Sequence, residues 1–208
     1  MIAVVDYGRG NLFSIGQALR HLDAPHEIAS DPARVACADR IILPGVGAFG
    51  DAMAGLGARG LVEPIRDQAR RGIPLLGICI GMQMLCDESE EFGRHAGLGL
   101  VPGKVRRLPD GGDAAGSIRI PNVGWRRLHH AAGDPLFAGL DGDPTVYFVH
   151  SYVPVADDGR DVAATIPING IDAAAILRRR NILGYQFHAE KSGPVGLALI
   201  RRFLENRY

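Results

Sequence analysis

At 208 residues the chain has the length of one domain, because single cores stop growing near ~250–300 residues. Hydrophobic residues make up 47% and charged residues 22%, which excludes global disorder and fibrous repeats, and 23 basic against 23 acidic residues argue against nucleic-acid binding through bulk charge. The start, MIAVVDYGRG, has no basic stretch ahead of an apolar core, and the longest apolar run (residues 73–86) is interrupted by Pro74, Gly77, Gly81 and Gln83, so neither a secretory signal nor a membrane span is expected and the location expected is cytoplasmic.

Residues 2–5 are a short β-branched run that reads as a buried strand. Asn11 can cap the helix that follows, where Leu12, Ile15, Leu19 and Leu22 make one apolar stripe. The pattern then repeats. Residues 40–43 predict a strand ending in Pro44-Gly45-Val46-Gly47, and two helices are expected near 51–56 and 61–71. Residues 73–78 predict the next strand and 80–86 the start of another helix. From 101 to 176 the pattern changes to short strand candidates at 104–108, 118–120, 145–149, 162–166 and 173–177. Turn signals stand at Gly111-Gly112, Asp141-Gly142 and Asp158-Gly159. A last strand at 182–187 and a helix at 195–204 close the chain. The expected fold is therefore α/β: a single domain over 1–208 with an open, mostly parallel central sheet, flanking helices and a few antiparallel strands.

Three segments carry chemistry. Gly77-Ile78-Cys79-Ile80-Gly81 lies between a predicted strand and a predicted helix, the elbow geometry that exposes a nucleophile on a sharp turn. A helix N-terminus favours the thiolate, and backbone N–H groups of such a turn can hold an oxyanion. A buried cysteine beside packing glycines fits the same letters. Downstream, His188 and Glu190 stand two apart in an expected extended segment, so their side chains share a face and the carboxylate can orient the imidazole. A surface histidine next to a solvated glutamate is the alternative. Pro44-Gly45-Val46-Gly47 ends a strand at the sheet edge where open α/β proteins bind ligands, and it lacks a phosphate-loop pattern. Cys37 and Cys86 read as structural, His150 stays ambiguous, and no His/Cys/Asp/Glu group has metal-ligand spacing, so neither metal nor cofactor is expected. Three cysteines cannot form a disulfide framework.

GICIGMQ at 77–83 and GYQFHAEKSG at 184–193 together resemble the class I (triad) glutamine amidotransferases. DYGRGNLFS at 6–14, PGVGAFGDAM at 44–53, IPNVGW at 120–125 and YFVHSY at 147–152 narrow the resemblance to the glutaminase subunits of imidazole glycerol phosphate synthase, over essentially the whole chain. The resemblance implies Cys79 as nucleophile on the side-chain amide of glutamine, His188 as proton carrier and Glu190 as its orienter. It implies substrate contacts from Val46, Gly47, Gln83, Ser151 and Tyr152. The implied partner is a (β/α)₈-barrel cyclase subunit that consumes the ammonia, approached by Asn11, Trp125 and Lys191, with weak glutaminase activity that rises when the partner holds its nucleotide. Neither a nucleic acid nor a membrane is among the implied partners.

Two positions depart from the family pattern. Ala189 replaces the usual Pro between His and Glu, which removes a backbone restraint from His188. Asn122 stands where His is frequent. These departures keep a paralogous amidotransferase subunit, feeding a different synthase such as one that aminates nucleotide sugars, as the second expectation. A cysteine hydrolase acting alone, or a scaffold that keeps the elbow fold, are the others.

Overall fold

The structure, a computed structural model, describes residues 1–112, 117–140 and 144–208. The opening run forms β1 (Ile2–Val5), buried throughout. Asn11 caps α1 (Leu12–His21), its side-chain oxygen accepting from the Ser14 amide at 3.4 Å. There follow β2 (His26–Ala29), α2 (Pro32–Ala36), β3 (Arg40–Gly45), α3 (Phe49–Ala58), α4 (Val62–Arg70), β4 (Leu75–Cys79) and α5 (Ile80–Met84). The chain goes on through β5 (Glu88–Ser89), β6 (His95–Ala96), β7 (Gly103–Arg107), β8 (Asn122–Arg127), β9 (His129–His130), β10 (Thr145–His150) and β11 (Tyr152–Ala156). It ends with β12 (Val162–Ile168), β13 (Ile171–Arg179), β14 (Ile182–Tyr185) and α6 (Gly193–Leu204).

Among the described residues the main sheet has eight strands in the order β2-β1-β3-β4-β14-β13-β12-β9. The first five are parallel and the last three form an antiparallel wing. The chain leaves β1 for β2 on one side and returns to β3 on the other, so the order reverses between β1 and β3. The C-terminal edge near such a reversal is where ligands bind in open α/β sheets. Cys79 ends β4 at that edge, beside Gly45 at the end of β3.

The antiparallel extension expected of the middle segment holds for β12 and β13, whereas the strands at 104–108 and 145–149 leave the main sheet. β7 pairs with β11 in a small four-stranded sheet, and β10 pairs with β8. Residues 118–120 are not a strand. The side chain of Asn169 takes the place of a partner strand there: its Oδ1 accepts from Ile118 N–H and its Nδ2 donates to the carbonyls of Ile118 and Pro109. β3 runs on through Pro44, because β1 has ended by that point and no neighbour asks for the missing N–H. The turn expected at Asp141-Gly142 lies outside the described residues. Cys86 is fully buried, and burial pushes its thiol up to about 12. Cys37, read as structural, is exposed at the end of α2. No helix among the described residues is long and apolar enough to cross a membrane.

Candidate active site

β4 delivers Cys79 into α5 through a turn with φ 55° and ψ −112°, a conformation an L-residue rarely adopts. Glycines on both sides permit it. A Cβ on Gly77 would lie 2.5 Å from the carbonyl oxygen of Gly81, and one on Gly81 would lie 1.8 Å from that of Leu43. The elbow is thus a three-way backbone contact among β4, α5 and β3.

β14 stops at Tyr185, two residues earlier than the sequence predicts, and residues 189–191 form a 3₁₀ turn in place of the extended segment. His188 and Glu190 still meet, with Nδ1 and Oε1 2.8 Å apart. The backbone of His188 is tied down from three directions. Its N–H donates to Tyr147 O at 3.0 Å, and its carbonyl accepts from Lys191 N–H and from Ser192 Oγ–H. These bonds hold the residue where Ala189 has no ring to stiffen the chain. Phe187, fully buried and packed on Tyr185 and Phe148, anchors the segment. Burial disfavours charge on the His188 ring, but hydrogen bonds with Cys79 and Glu190 outweigh it and lift the imidazole to about 10. With Nδ1 committed to Glu190, Nε2 is the ring atom left for the sulfur.

Glu190 is 1% exposed at its side chain. Its Oε1 also accepts from Asn11 Nδ2 at 3.4 Å, and its Oε2 has no partner. Asn11 therefore serves twice, capping α1 with its oxygen and touching the carboxylate with its nitrogen. The sequence reading placed it toward a partner; the structure shows that its side chain reaches Glu190.

A cavity of about 310 Å³ opens beside Cys79. Val46, Gly47, Gln83, Ser151, Tyr152 and His188 all line it, so the residues implied as substrate contacts converge on one space. Its size is at the low end for small-molecule sites and suits an amino acid better than a nucleotide. Gln83 is buried, and its Oε1 has no partner, an acceptor awaiting a donor. Glu91 also lines the cavity and was not foreseen, since no motif marks it; one of its oxygens accepts from the Phe49 amide at 2.6 Å and starts α3.

His150, ambiguous in sequence, is a buried wall of the cavity, and burial pushes its imidazole down to about 4. The neutral ring accepts at Nε2 from Asn122 Nδ2 at 3.0 Å and donates from Nδ1 to Tyr152 O at 2.9 Å. Asn122 in turn accepts from Arg126 Nε–H, which fixes the direction of the whole set. Because the folded value lies below the ordinary 6.5, the unfolded chain takes the proton first as pH falls. This contribution is intact above pH 6.5 and drains away as pH drops toward 4, by roughly 3 kcal/mol. His188 has the opposite sign: its contribution is whole below pH 6.5 and fades as pH rises to about 10, so it leaves the acid limb alone. Urea midpoints at pH 7 and pH 4.5 check this. The gap between them narrows in His150→Gln, and an unchanged gap refutes the assignment.

Trp125 is half exposed, and its ring meets Tyr147 edge-on at 5.9 Å. Lys191 is exposed. Neither touches the cavity.

The chain matches the profile of the family described as Glutamine amidotransferase class-I over residues 3–206. It is 46% identical to "Imidazole glycerol phosphate synthase subunit HisH" of Moorella thermoacetica, covering 98% of this chain and 94% of that protein. It is 43% identical to the protein of the same name from Dehalococcoides mccartyi, covering 99% and 97%. Among solved structures, "Structure of PurLQS from Thermotoga maritima" superposes with a TM-score of 0.74 at 20% identity, covering 99% of this chain and 97% of that one. "Crystal structure of glutamine amidotransferase" superposes with a TM-score of 0.73 at 22% identity, covering 99% and 98%. Both superpositions speak to the fold alone.

Proposed function

The chain belongs to the class I glutamine amidotransferases, and from that premise we propose that residues 1–208 form one amidotransferase domain, the cytoplasmic glutaminase subunit of an imidazole glycerol phosphate synthase in histidine biosynthesis. The observation that carries this reading is that Cys79 and His188 line one cavity while Glu190, buried, holds Nδ1 of the His188 ring.

The Cys79 sulfur attacks the side-chain carbonyl carbon of glutamine, and the carbonyl π electrons move to oxygen. Backbone N–H groups of Val46 and Gly47 receive that oxyanion. His188 gives its Nε2 proton to the departing nitrogen, the C–N bond breaks, and ammonia leaves a glutamyl thioester. His188 then takes a proton from water, hydroxide attacks the thioester, and glutamate departs as the sulfur is freed. Glu190 holds the ring and offsets its charge in the protonated steps. Gln83, which lines the same space, supplies a further polar contact to the substrate. The Glu91 carboxylate, with Ser151 and Tyr152, faces its amino-acid end.

A docking face lies next to this cavity. In the β8–β10 ribbon Val123 pairs with Val149 and Trp125 with Tyr147, and by strand alternation all four share a side. Val123, Trp125 and Val149 are 51%, 53% and 40% exposed, and Val149 also lines the cavity. An apolar patch continuous with the mouth suits a partner that takes ammonia before water protonates it. We assign this face, together with Asn11 and Lys191, to a (β/α)₈ cyclase subunit.

The test supplies glutamine labelled with ¹⁵N in its side-chain amide, the cyclase subunit and that subunit's nucleotide substrate. Label enters the imidazole product, one glutamate forms per product, and glutamate release rises when the nucleotide is present. Label found only in free ammonium, with a rate indifferent to the cyclase, refutes the assignment. Stimulation by a nucleotide-sugar synthase instead would establish the paralogous reading.

A further inference from the structure

Gln186 is fully buried, points at the Cys79 sulfur and takes no part in the steps above. We propose that Gln186 is a further functional residue of the site: its amide N–H steadies the Cys79 sulfur in the ionised form that attacks the substrate. This rests on Cys79 being the nucleophile.

The neighbours dictate which way the amide faces. A carbonyl can only accept, so Gln83 turns its Nε2 to Tyr152 O at 3.0 Å. The second hydrogen of that nitrogen goes to Gln186 Oε1 at 3.1 Å. Gln186 is left with its Nε2 toward Cys79 Sγ at 3.9 Å. Turning Gln83 over would set its oxygen against the Tyr152 carbonyl, and turning Gln186 over would set two nitrogens face to face. The other side of Tyr152 O agrees, because it receives the Nδ1–H of His150, itself fixed through Asn122 by the donor-only Arg126.

A second group, of opposite polarity, also lies near the sulfur. Val149 O is 4.0 Å away, accepts S–H from the neutral thiol and repels the thiolate. Gln186 is its counterweight and, with His188, the second donor to the sulfur. In a water-poor pocket a hydrogen bond to a charged acceptor is strong. The placement follows from the chain. Gln186 stays in the sheet ladder, its N–H donating to Ala175 O, and Phe187 turns into the core. Residues 186 and 188 then flank one sulfur.

The experiment is alkylation of Cys79 by iodoacetamide, mapped by peptide mass, in the full chain carrying Cys37→Ser to remove the exposed thiol. In Gln186→Met, which keeps length and loses the donor, alkylation at pH 7 falls about tenfold, the worth of one hydrogen bond to a charged group. Gln186→Leu likewise loses the donor, drops at least as far at pH 7, and serves if the Met variant does not fold. In both, kcat for glutamate release falls with little change in KM. Wild-type alkylation at pH 7 in either folded variant overturns the proposal, and so does a raised KM with kcat unchanged, which marks altered access. Failure of the nucleophile reading is separate: it shows as glutamate release by a variant lacking the Cys79 sulfur, whatever Gln186 does.

Discussion

Cys79→Ala releases glutamate at least ~10³-fold more slowly than the wild type with the partner present, while glutamine still binds. Nothing in the site can stand in for the sulfur. Cys86 is buried behind the elbow with its thiol pushed up to about 12, and Cys37 is exposed at the end of α2. Val46, Gly47 and Gln83 line the cavity independently of the sulfur, so in the proposed reading the defect falls on kcat. The same position makes a second, independent forecast. Cys79 holds φ 55°, which an L-side chain pays for and glycine does not. Cys79→Gly, equally inactive, is therefore more stable than Cys79→Ala by about 1 kcal/mol, despite the greater freedom of glycine in the unfolded chain. Glutamate assays and urea midpoints of the two variants decide both points. Residual turnover in the alanine variant removes the nucleophile role, and an alanine variant more stable than the glycine one removes the strain.

The elements that build this elbow were legible because they repeat a strong local pattern. A short apolar run, a turn containing glycine and an apolar helical stretch recur at β1–α1 and β4–α5, and both formed close to the expected bounds. β2 escaped notice because His26-Glu27-Ile28-Ala29 is an edge strand with one buried residue and no apolar run. The pairing of β7 with β11 and of β10 with β8 was invisible for another reason: strand partners are chosen by the tertiary fold, and nothing within either strand names its neighbour. Among site residues, Cys79, His188 and Glu190 were marked by spacing and by resemblance. The amide of Asn11 on Glu190 spans 179 positions and that of Gln186 on Cys79 spans 107, distances at which only folding brings groups together. Gln186 did carry a faint signal, two residues ahead of His188 in an extended stretch. Glu91 carried none.

Gly81→Ala is the most destructive single methyl group this fold can receive at the site. The added Cβ would sit 1.8 Å from the carbonyl oxygen of Leu43, well inside any real contact, and that oxygen belongs to the backbone of β3. β3 cannot yield, because Ile41 to Gly45 is paired along β4 on one side and Arg40 to Ile42 along β1 on the other. α5 cannot yield either, since Gly77, one turn back across the elbow, already lies where its own Cβ would meet Gly81 O at 2.5 Å. Overpacking a side-chain core usually costs 1–3 kcal/mol because rotamers adjust, but here both partners are backbone and no rotamer exists. The expected loss is at least ~4 kcal/mol, enough to abolish soluble expression of a marginally stable chain. Gly57→Ala is the control: that residue sits in α3, exposed, with no atom within 4 Å of its would-be Cβ, and the substitution stabilises by ~0.5–1 kcal/mol. Urea midpoints of the two variants move in opposite directions. If Gly81→Ala unfolds where the wild type does, the close approach of β3, β4 and α5 is not what presents Cys79 to the cavity.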